Sequence, residues 1–280
     1  MQQSFTYPNG LPFLKMHGLG NDFVIIDARA EESPLTPELA RAIGERHFGV
    51  GYDQLVVLTS AGDADAAMVF WNSDGSLSNA CGNATRCIAQ LLMDEAGQEE
   101  ITLRSGNGLL QALRGADGRI SVNMGHPQLS WQDVPLAQDE DLISLPIDGS
   151  PGAAGMGNPH CVFVVDDLAS VDLEAQGAAI ESHPLFPEKT NVEFIQVLDR
   201  STIRQRTFER GAGVTLACGS GACAVAVVAH RKGLTERKVR IELDGGVLDI
   251  DWRADGVWMT GATQLVFSGV LAPEFLEASL

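Results

Sequence analysis

Two of the five cysteines, Cys81 and Cys218, stand in nearly the same setting: Ala80-Cys81-Gly82-Asn83 and Ala217-Cys218-Gly219-Ser220. Each opens a small, apolar segment that reads as a helix, ended by Gly97 in the first case and Gly233 in the second. A thiol at a helix start meets amides that carry partial positive charge, and these favour the thiolate, the reactive form. The same amides can hold a carboxylate. The small residues beside them let a ligand come close to the backbone. Each setting therefore offers a base and an anion cradle at one point. Two such settings acting on one carbon suit stereoinversion at an amino-acid α-carbon. One thiolate removes the proton from one face, and the opposite thiol delivers a proton to the other. The helix amides would stabilise the enediolate-like charge that develops.

The two settings belong to an internal repeat. The interval from Cys81 to Cys218 equals the interval from Gly18-Leu19-Gly20-Asn21 to Gly155-Met156-Gly157-Asn158. The same shift sets Asn191 on Gln54 and Glu209 on Asn72. Near the end of each copy, Gly125-His126-Pro127-Gln128-Leu129 matches Gly261-Ala262-Thr263-Gln264-Leu265, with the interval shorter by a single position. The duplication spans residues 12–129 and 152–265. The acidic, proline-containing stretch Ser130 to Pro151 reads as a linker. Expected domains are 1–129, joined by a C-terminal segment 266–280, and 130–265.

The elements that must carry these residues follow one plan in each half. Phe13–Met16, Phe23–Asp27, Leu55–Leu58 and Ala67–Trp71 read as strands. Thr36 caps a helix that starts at Pro37 and runs through His47. Helices are expected over Cys81–Ala96 and Cys218–Lys232. Asn107-Gly108 and Gly245-Gly246 turn two hairpins, over Ile101–Leu113 and Val239–Trp252. The expected fold class is α/β (α+β): two pseudo-symmetric domains, each a curved, antiparallel-rich β-barrel around a central helix. Alternating parallel βαβ units are not evident.

Bulk properties exclude several classes of function. The formal net charge of −18 argues against nucleic acid, whose phosphates call for clustered Lys and Arg. The longest apolar run, Ala222–Ala229, falls far short of the roughly 20 residues of a membrane helix, and the N-terminal residues lack a signal peptide's pattern, so a cytoplasmic protein is expected. The cysteines are odd in number, and the spacings Cys81/Cys87 and Cys218/Cys223 fit neither a disulfide framework nor a zinc knuckle. No metal is expected. Cys87, Cys161 and Cys223 read as buried and inert. His47, His126, His183 and His230 carry no assignment, and His17 has no evident role beside Gly18.

An ordered set of motifs runs from His17-Gly18-Leu19-Gly20-Asn21-Asp22-Phe23 through Asp53-Gln54, Asn72-Ser73-Asp74-Gly75-Ser76, Ala80-Cys81-Gly82-Asn83, Gly157-Asn158-Pro159-His160, Thr190-Asn191 and Glu209-Arg210-Gly211 to Leu216-Ala217-Cys218-Gly219-Ser220-Gly221-Ala222-Cys223. With it the chain resembles the diaminopimelate epimerase family over nearly its whole length. The resemblance implies that Cys81 and Cys218 are the acid/base cysteines and that His160 and Glu209 assist proton transfer. It implies that Gly82, Asn83, Gly219 and Ser220 cradle the reacting carboxylate. Asn21, Gln54, Asn72, Asn158, Asn191 and Arg210 would hold the distal amino-acid end, with a guanidinium as natural partner of a carboxylate. It also implies an isomerase that converts LL- to meso-diaminopimelate in lysine biosynthesis, with no cofactor, as a homodimer. Ser220, Ala84, Val214 and Ala262 stand where the family more often has threonine, glycine, glutamate and proline.

Three alternatives bear on the same residues. A proline or hydroxyproline racemase would use the same pair of cysteines, but its substrate has no second amino-acid end for Asn72, Asn158, Asn191 and Arg210. Phenazine-biosynthesis-like isomerases lack the cysteine pair. A redox- or metal-sensing protein would explain paired cysteines but not the matched polar positions Asn21/Asn158 and Gln54/Asn191.

Overall fold

The computed structural model describes residues 9–79 and 81–279, which form two compact units: the first holds residues up to Ile120 together with Thr263 onward, and the second Ser121–Ala262. No helix among the described residues is long and apolar enough to cross a membrane.

In the first unit the elements are β1 (Leu11–Gly18), β2 (Asn21–Asp27), α1 (Pro37–Gly44), β3 (Gln54–Thr59), β4 (Ala66–Asn72), β5 (Leu77–Ser78), α2 (Gly82–Ala96), β6 (Glu100–Ser105) and β7 (Gly108–Arg114). Strand β8 (Ile120–Asn123) follows. The second unit carries β9 (Gly152–Gly155), β10 (Pro159–Val164), a 3-10 turn at Leu168–Ser170, α3 (Leu173–Glu181), β11 (Asn191–Asp199), β12 (Thr202–Glu209) and β13 (Gly213–Thr215). It continues with α4 (Gly219–Arg231), β14 (Lys238–Leu243), β15 (Gly246–Arg253) and β16 (Gly256–Gly261). Strand β17 (Gln264–Leu271) and α5 (Pro273–Ala278) end the chain.

Strand pairing in the first unit runs β17-β1-β2-β3-β4, and β5 and β6 share the far edge of β4, with β7 beyond β6. The second unit repeats this as β9-β10-β11-β12, with β13 and β14 on the far edge of β12, then β15, β16 and β8. The repeat reaches the register itself. Phe23 pairs with Gln54 across β2/β3 and His160 with Asn191 across β10/β11, the second pair displaced from the first by the interval that separates the two cysteines. The closing strands are exchanged between copies: β8 pairs with β16, and β17 pairs with β1. Along the chain the compact units meet at residues 120/121 and 262/263.

Each sheet wraps one helix. Helix α4 packs on β9, β10, β11, β14, β15 and β16, and α2 on β1, β2, β6 and β7. Residues Gly221 to Ala229 are all buried, so α4 is apolar on every side, as a helix enclosed by a sheet must be. Helix α2 stops at Gly97, which takes the left-handed conformation (φ 65°) that ends helices and suits glycine.

Two expectations are corrected. Parallel βαβ connections are present, two in each unit: β2/β3 and β4/β6 in the first, β10/β11 and β12/β14 in the second, each pair spanning a helix. Helix α1 is only 8 residues long, and β5 stands between β4 and α2, so the alternation does not show in the hydrophobic pattern. Nor is Ser130–Pro151 a plain linker. Val134, Leu136, Leu142 and Leu145 are buried and join Phe163, Leu173, Phe186 and Phe194 in one core cluster. The loop is pinned by backbone bonds from Ala153 N to Leu142 O and from Leu145 N to Pro151 O, both 2.8 Å.

Candidate active site

Cys81 and Cys218 each occupy the N-cap position of the helix their sheet encloses, α2 and α4. Neither side chain closes its helix with a capping hydrogen bond. The small residues that follow, Gly82-Asn83 and Gly219-Ser220, therefore leave first-turn amides for an incoming anion.

Beside Cys81 lie the amides of Asn21 and Asn83. Asn21, at the start of β2, places Oδ1 3.8 Å from the Cys81 sulfur and 3.2 Å from Asn83 Nδ2. Its own Nδ2 donates to Asp53 Oδ2 at 2.9 Å. A carboxylate can only accept, so this bond fixes which end of the Asn21 amide faces the thiol. Asp53 also accepts from the Asp22 amide (3.1 Å) and from Arg46 (2.8 Å). Asp22 is held in turn by Lys15 (2.5 Å) and Arg46 (2.9 Å). Burial raises the Asp22 carboxyl, but the bonds from Arg46 and Lys15 outweigh it and bring the pKa down to about 2. Gln54 and Asn72 pair across β3/β4, Nε2 donating to Oδ1 at 3.0 Å, and Asn72 donates on to Ser76 at 3.0 Å. These bonds make two polar networks, one through Asn21, Asp53, Arg46 and Asp22, the other through Gln54, Asn72 and Ser76.

Around Cys218 the neighbours are ionisable. Glu209, at the end of β12, accepts from Thr215 Oγ1 at 2.6 Å and from the Cys218 thiol. Burial raises its carboxyl above the usual range; the bonds from Thr215 and Cys218 only partly offset that. Burial also pushes the Cys218 thiol well up, and the charges of Glu209 and Glu193 add to it. Ser220, whose hydroxyl lies 3.6 Å from the sulfur, and the Gly221 amide pull the other way without prevailing. The expected thiolate-favouring effect of the helix start is thus overruled at Cys218 in the free protein. His160 on β10 bridges Asn158 Oδ1 (2.9 Å, from Nε2) and Glu193 Oε1 (2.7 Å, from Nδ1).

Asn191 is 3% exposed and uses both ends of its amide: Nδ2 donates to Pro159 O (2.9 Å), and Oδ1 accepts from the Arg210 backbone amide (3.0 Å). The exposed Arg210 donates from Nη1 to Glu188 O (2.9 Å). The Arg210–Gly211 turn is held by Glu181, which accepts from Gly211 N at 2.8 Å. Cys87, Cys161 and Cys223 are fully buried, with burial pushing Cys87 up to about 12 and Cys161 well up from the usual thiol range.

Glu193, Thr215 and Asp53 escaped assignment in the sequence. Glu193 did leave a signal there: it is the one charge in the run Val192-Glu193-Phe194-Ile195, where the repeat has Val56.

The sequence model of the diaminopimelate epimerase family matches residues 13–130 and 152–266. A diaminopimelate epimerase from Rhodospirillum centenum is 50% identical over 275 residues, covering 96% of this chain and 94% of the relative. One from Acidiphilium cryptum is 50% identical over 266 residues, covering 93% and 96%. Among solved structures, a hydroxyproline epimerase from Agrobacterium vitis superposes with a TM-score of 0.68 at 14% identity, covering 96% of this chain and 94% of that one. A PhzF-family phenazine biosynthesis protein from Bacillus anthracis gives 0.67 at 15% identity, covering 94% and 99%. At that identity the structures speak for the fold alone, whereas the sequence relatives share half their residues with this chain over almost its full length. The chain is an isomerase and belongs to the diaminopimelate epimerase family.

Proposed function

We propose that this protein inverts one α-carbon of LL-2,6-diaminopimelate to give the meso isomer, with Cys81 and Cys218 as the two acid/base groups. The observation that carries the reading is the placement of both cysteines at the N-cap of the enclosed helix in their own unit, at matched positions of the repeat. The chemistry requires both sulfurs to reach one α-carbon from opposite faces. The thiolate on one side takes the α-proton, the carbanion's charge spreads into the carboxylate held by helix amides, and the other thiol returns a proton. Acid and base both come from the chain.

Cys218 holds its proton in the free protein, for the reasons of burial and neighbouring carboxylates given above. Glu209 accepts from that thiol and is the group placed to receive the proton when Cys218 must act as base. His160 and Asn158 stand beside it. The amide cradles are Gly82-Asn83 and Gly219-Ser220. Asn21, Gln54, Asn72, Asn158, Asn191 and Arg210 are assigned to the distal amino-acid end, Asn191 by holding the Arg210 backbone. The same reading carries a homodimer and a cytoplasmic setting, the former checked by light scattering on the purified protein.

The test is α-proton exchange in deuterated water under reducing conditions, followed by NMR, with LL-diaminopimelate and L-proline supplied separately. Exchange with formation of the meso isomer from diaminopimelate alone supports the assignment. Exchange with proline alone would move it to the racemases, and no exchange with either would overturn it.

A further inference from the structure

The two units share register but not charge, and besides Glu209 on Asn72 three linked positions differ. Under the shift that sets Cys218 on Cys81, His160, Glu193 and Gly221 of the second copy stand on Phe23, Val56 and Ala84 of the first. An apolar trio in one unit is thus a histidine, a carboxylate and a missing side chain in the other. His160 and Glu193 are neighbours on paired parallel strands, β10 and β11, and both side chains are 0% exposed. Glu193 Oε1 lies 2.7 Å from His160 Nδ1.

The third position explains how a carboxylate fits there. A Cβ added at Gly221 would come within 2.5 Å of Glu193 Oε1 and 3.2 Å of the Cys218 sulfur. The first contact is closer than real Cβ atoms approach. Glu193 therefore occupies the space that glycine leaves open in the first turn of α4. Val56 needs no such space, and Ala84 carries its Cβ.

We propose that Glu193 is the positioning residue of the Cys218 half-site: seated in the gap at Gly221, its carboxylate keeps a proton on His160 Nδ1 and so directs Nε2 to Asn158. A carboxylate accepts and does not donate, so the ring nitrogen that faces it is the protonated one. Nε2 then meets an amide that serves either of its states, since Asn158 can turn NH₂ to a lone pair or Oδ1 to an N–H. His160 can gain or lose a proton at Nε2 without losing its partners. Glu193 touches no reacting atom in this scheme; it acts through His160 and, by its charge, on the nearby Cys218 thiol. The proposal rests on the reading of Cys218 as an acid/base group.

The test is ¹⁵N NMR of histidine-labelled protein, the His160 signals being assigned by their loss in His160→Gln. The expected wild-type pattern is a protonated Nδ1. Glu193→Val, which installs the residue of the other copy, should move the proton off Nδ1, with kcat down by about ten- to a hundredfold, the usual range for a lost supporting partner, and KM within about twofold. Gly221→Ala, which pushes Glu193 out of its seat, should give the same spectral change and carries the test if Glu193→Val does not fold. A wild-type His160 with bare Nδ1, or a folded Glu193→Val protein that keeps both the Nδ1 proton and its kcat, overturns the proposal. A wild-type protein that shows the Nδ1 proton and exchanges the α-proton of proline but not of diaminopimelate overturns the substrate reading and leaves this one standing.

Discussion

Thr215→Val removes one hydroxyl and little else, and it should move the acid limb of the pH–rate profile. Thr215 Oγ1 donates to Glu209 Oε1 at 2.6 Å, and this bond lowers the Glu209 pKa against the raising effect of burial. A hydrogen bond to a charged group is worth about 1.5–3 kcal/mol. Glu209 is half-buried by area, so water softens the loss and the lower end applies. At about 1.4 kcal/mol per pKa unit, the Glu209 carboxyl should rise by about one unit. In the proposed mechanism the carboxylate is the form that accepts the Cys218 proton, so activity should appear about one pH unit later. On the acid side kcat/KM should fall by about tenfold; on the plateau it should match wild type. The assay is deuterium exchange from LL-diaminopimelate across the acid limb, with Glu209→Gln, which should lack the limb, as reference. A Thr215→Val profile that superposes on wild type would refute the argument that this hydroxyl tunes Glu209.

Cys81→Ala and Cys218→Ala should each abolish epimerisation with the far-UV CD spectrum unchanged; substantial turnover by either variant contradicts an essential acid/base role. Asp22, with a folded pKa of about 2 against 3.8, contributes about 2 kcal/mol that is present above pH ~4 and lost as pH falls through ~2. Urea titrations should therefore show Asp22→Asn less stable by that amount at pH 7, and the gap should close in strong acid; an equal gap at both ends would assign the loss to something other than the charge. Leu145→Ala, at a side chain 1% exposed in the Ser130–Pro151 stretch, should cost about 2–5 kcal/mol in the same measurement, whereas a true linker would lose almost nothing.

The repeat made much of this architecture legible before any coordinates. An equal offset at Cys81/Cys218 and Gly18/Gly155 requires the same elements to carry the same residues, and the strand register keeps that offset at Phe23/Gln54 and His160/Asn191. Local signals also served: Thr36 accepts from Leu39 N as an N-cap should, and a tight turn joins β6 to β7, though its two residues are Gly106 and Asn107 rather than Asn107 and Gly108. What the sequence hid depends on partners distant along the chain. The parallel pairings β2/β3 and β4/β6 are invisible because hydrophobic pattern reports burial, not strand direction. Val134, Leu136, Leu142 and Leu145 lie among Asp, Gln and Pro residues, so composition disguised the core they join. The Cys218 thiol departs from expectation for a different reason. A helix start lowers a thiol's pKa, but that influence is modest beside full burial with two carboxylates at hand, and only the fold brings Glu193 and Glu209 to the sulfur.

The way the symmetry breaks has a chemical logic. A two-thiol inversion needs one sulfur protonated and the other not, and two identical half-sites would have no preference as to which. The repeat keeps the cysteines, the helix starts and the asparagines Asn21 and Asn158, which are what both faces of the proposed reaction require. It changes Asn72 to Glu209, Phe23 to His160 and Val56 to Glu193, which places carboxylates and an imidazole at one cysteine and neutral or apolar groups at the other. Burial first, and the charges of Glu209 and Glu193 with it, disfavour the Cys218 thiolate. On this account, exchanging the polar trio for its apolar counterparts should not disturb the sheet, because Phe23, Val56 and Ala84 already occupy the same register positions. It should instead weaken the bias at Cys218, where burial and Glu209 remain. Single exchanges would leave an unmatched buried group and cost stability, so the combined variant His160→Phe, Glu193→Val, Gly221→Ala should fold better than Glu193→Val alone. A combined variant less stable than that single exchange would show that the two copies differ in more than their charge.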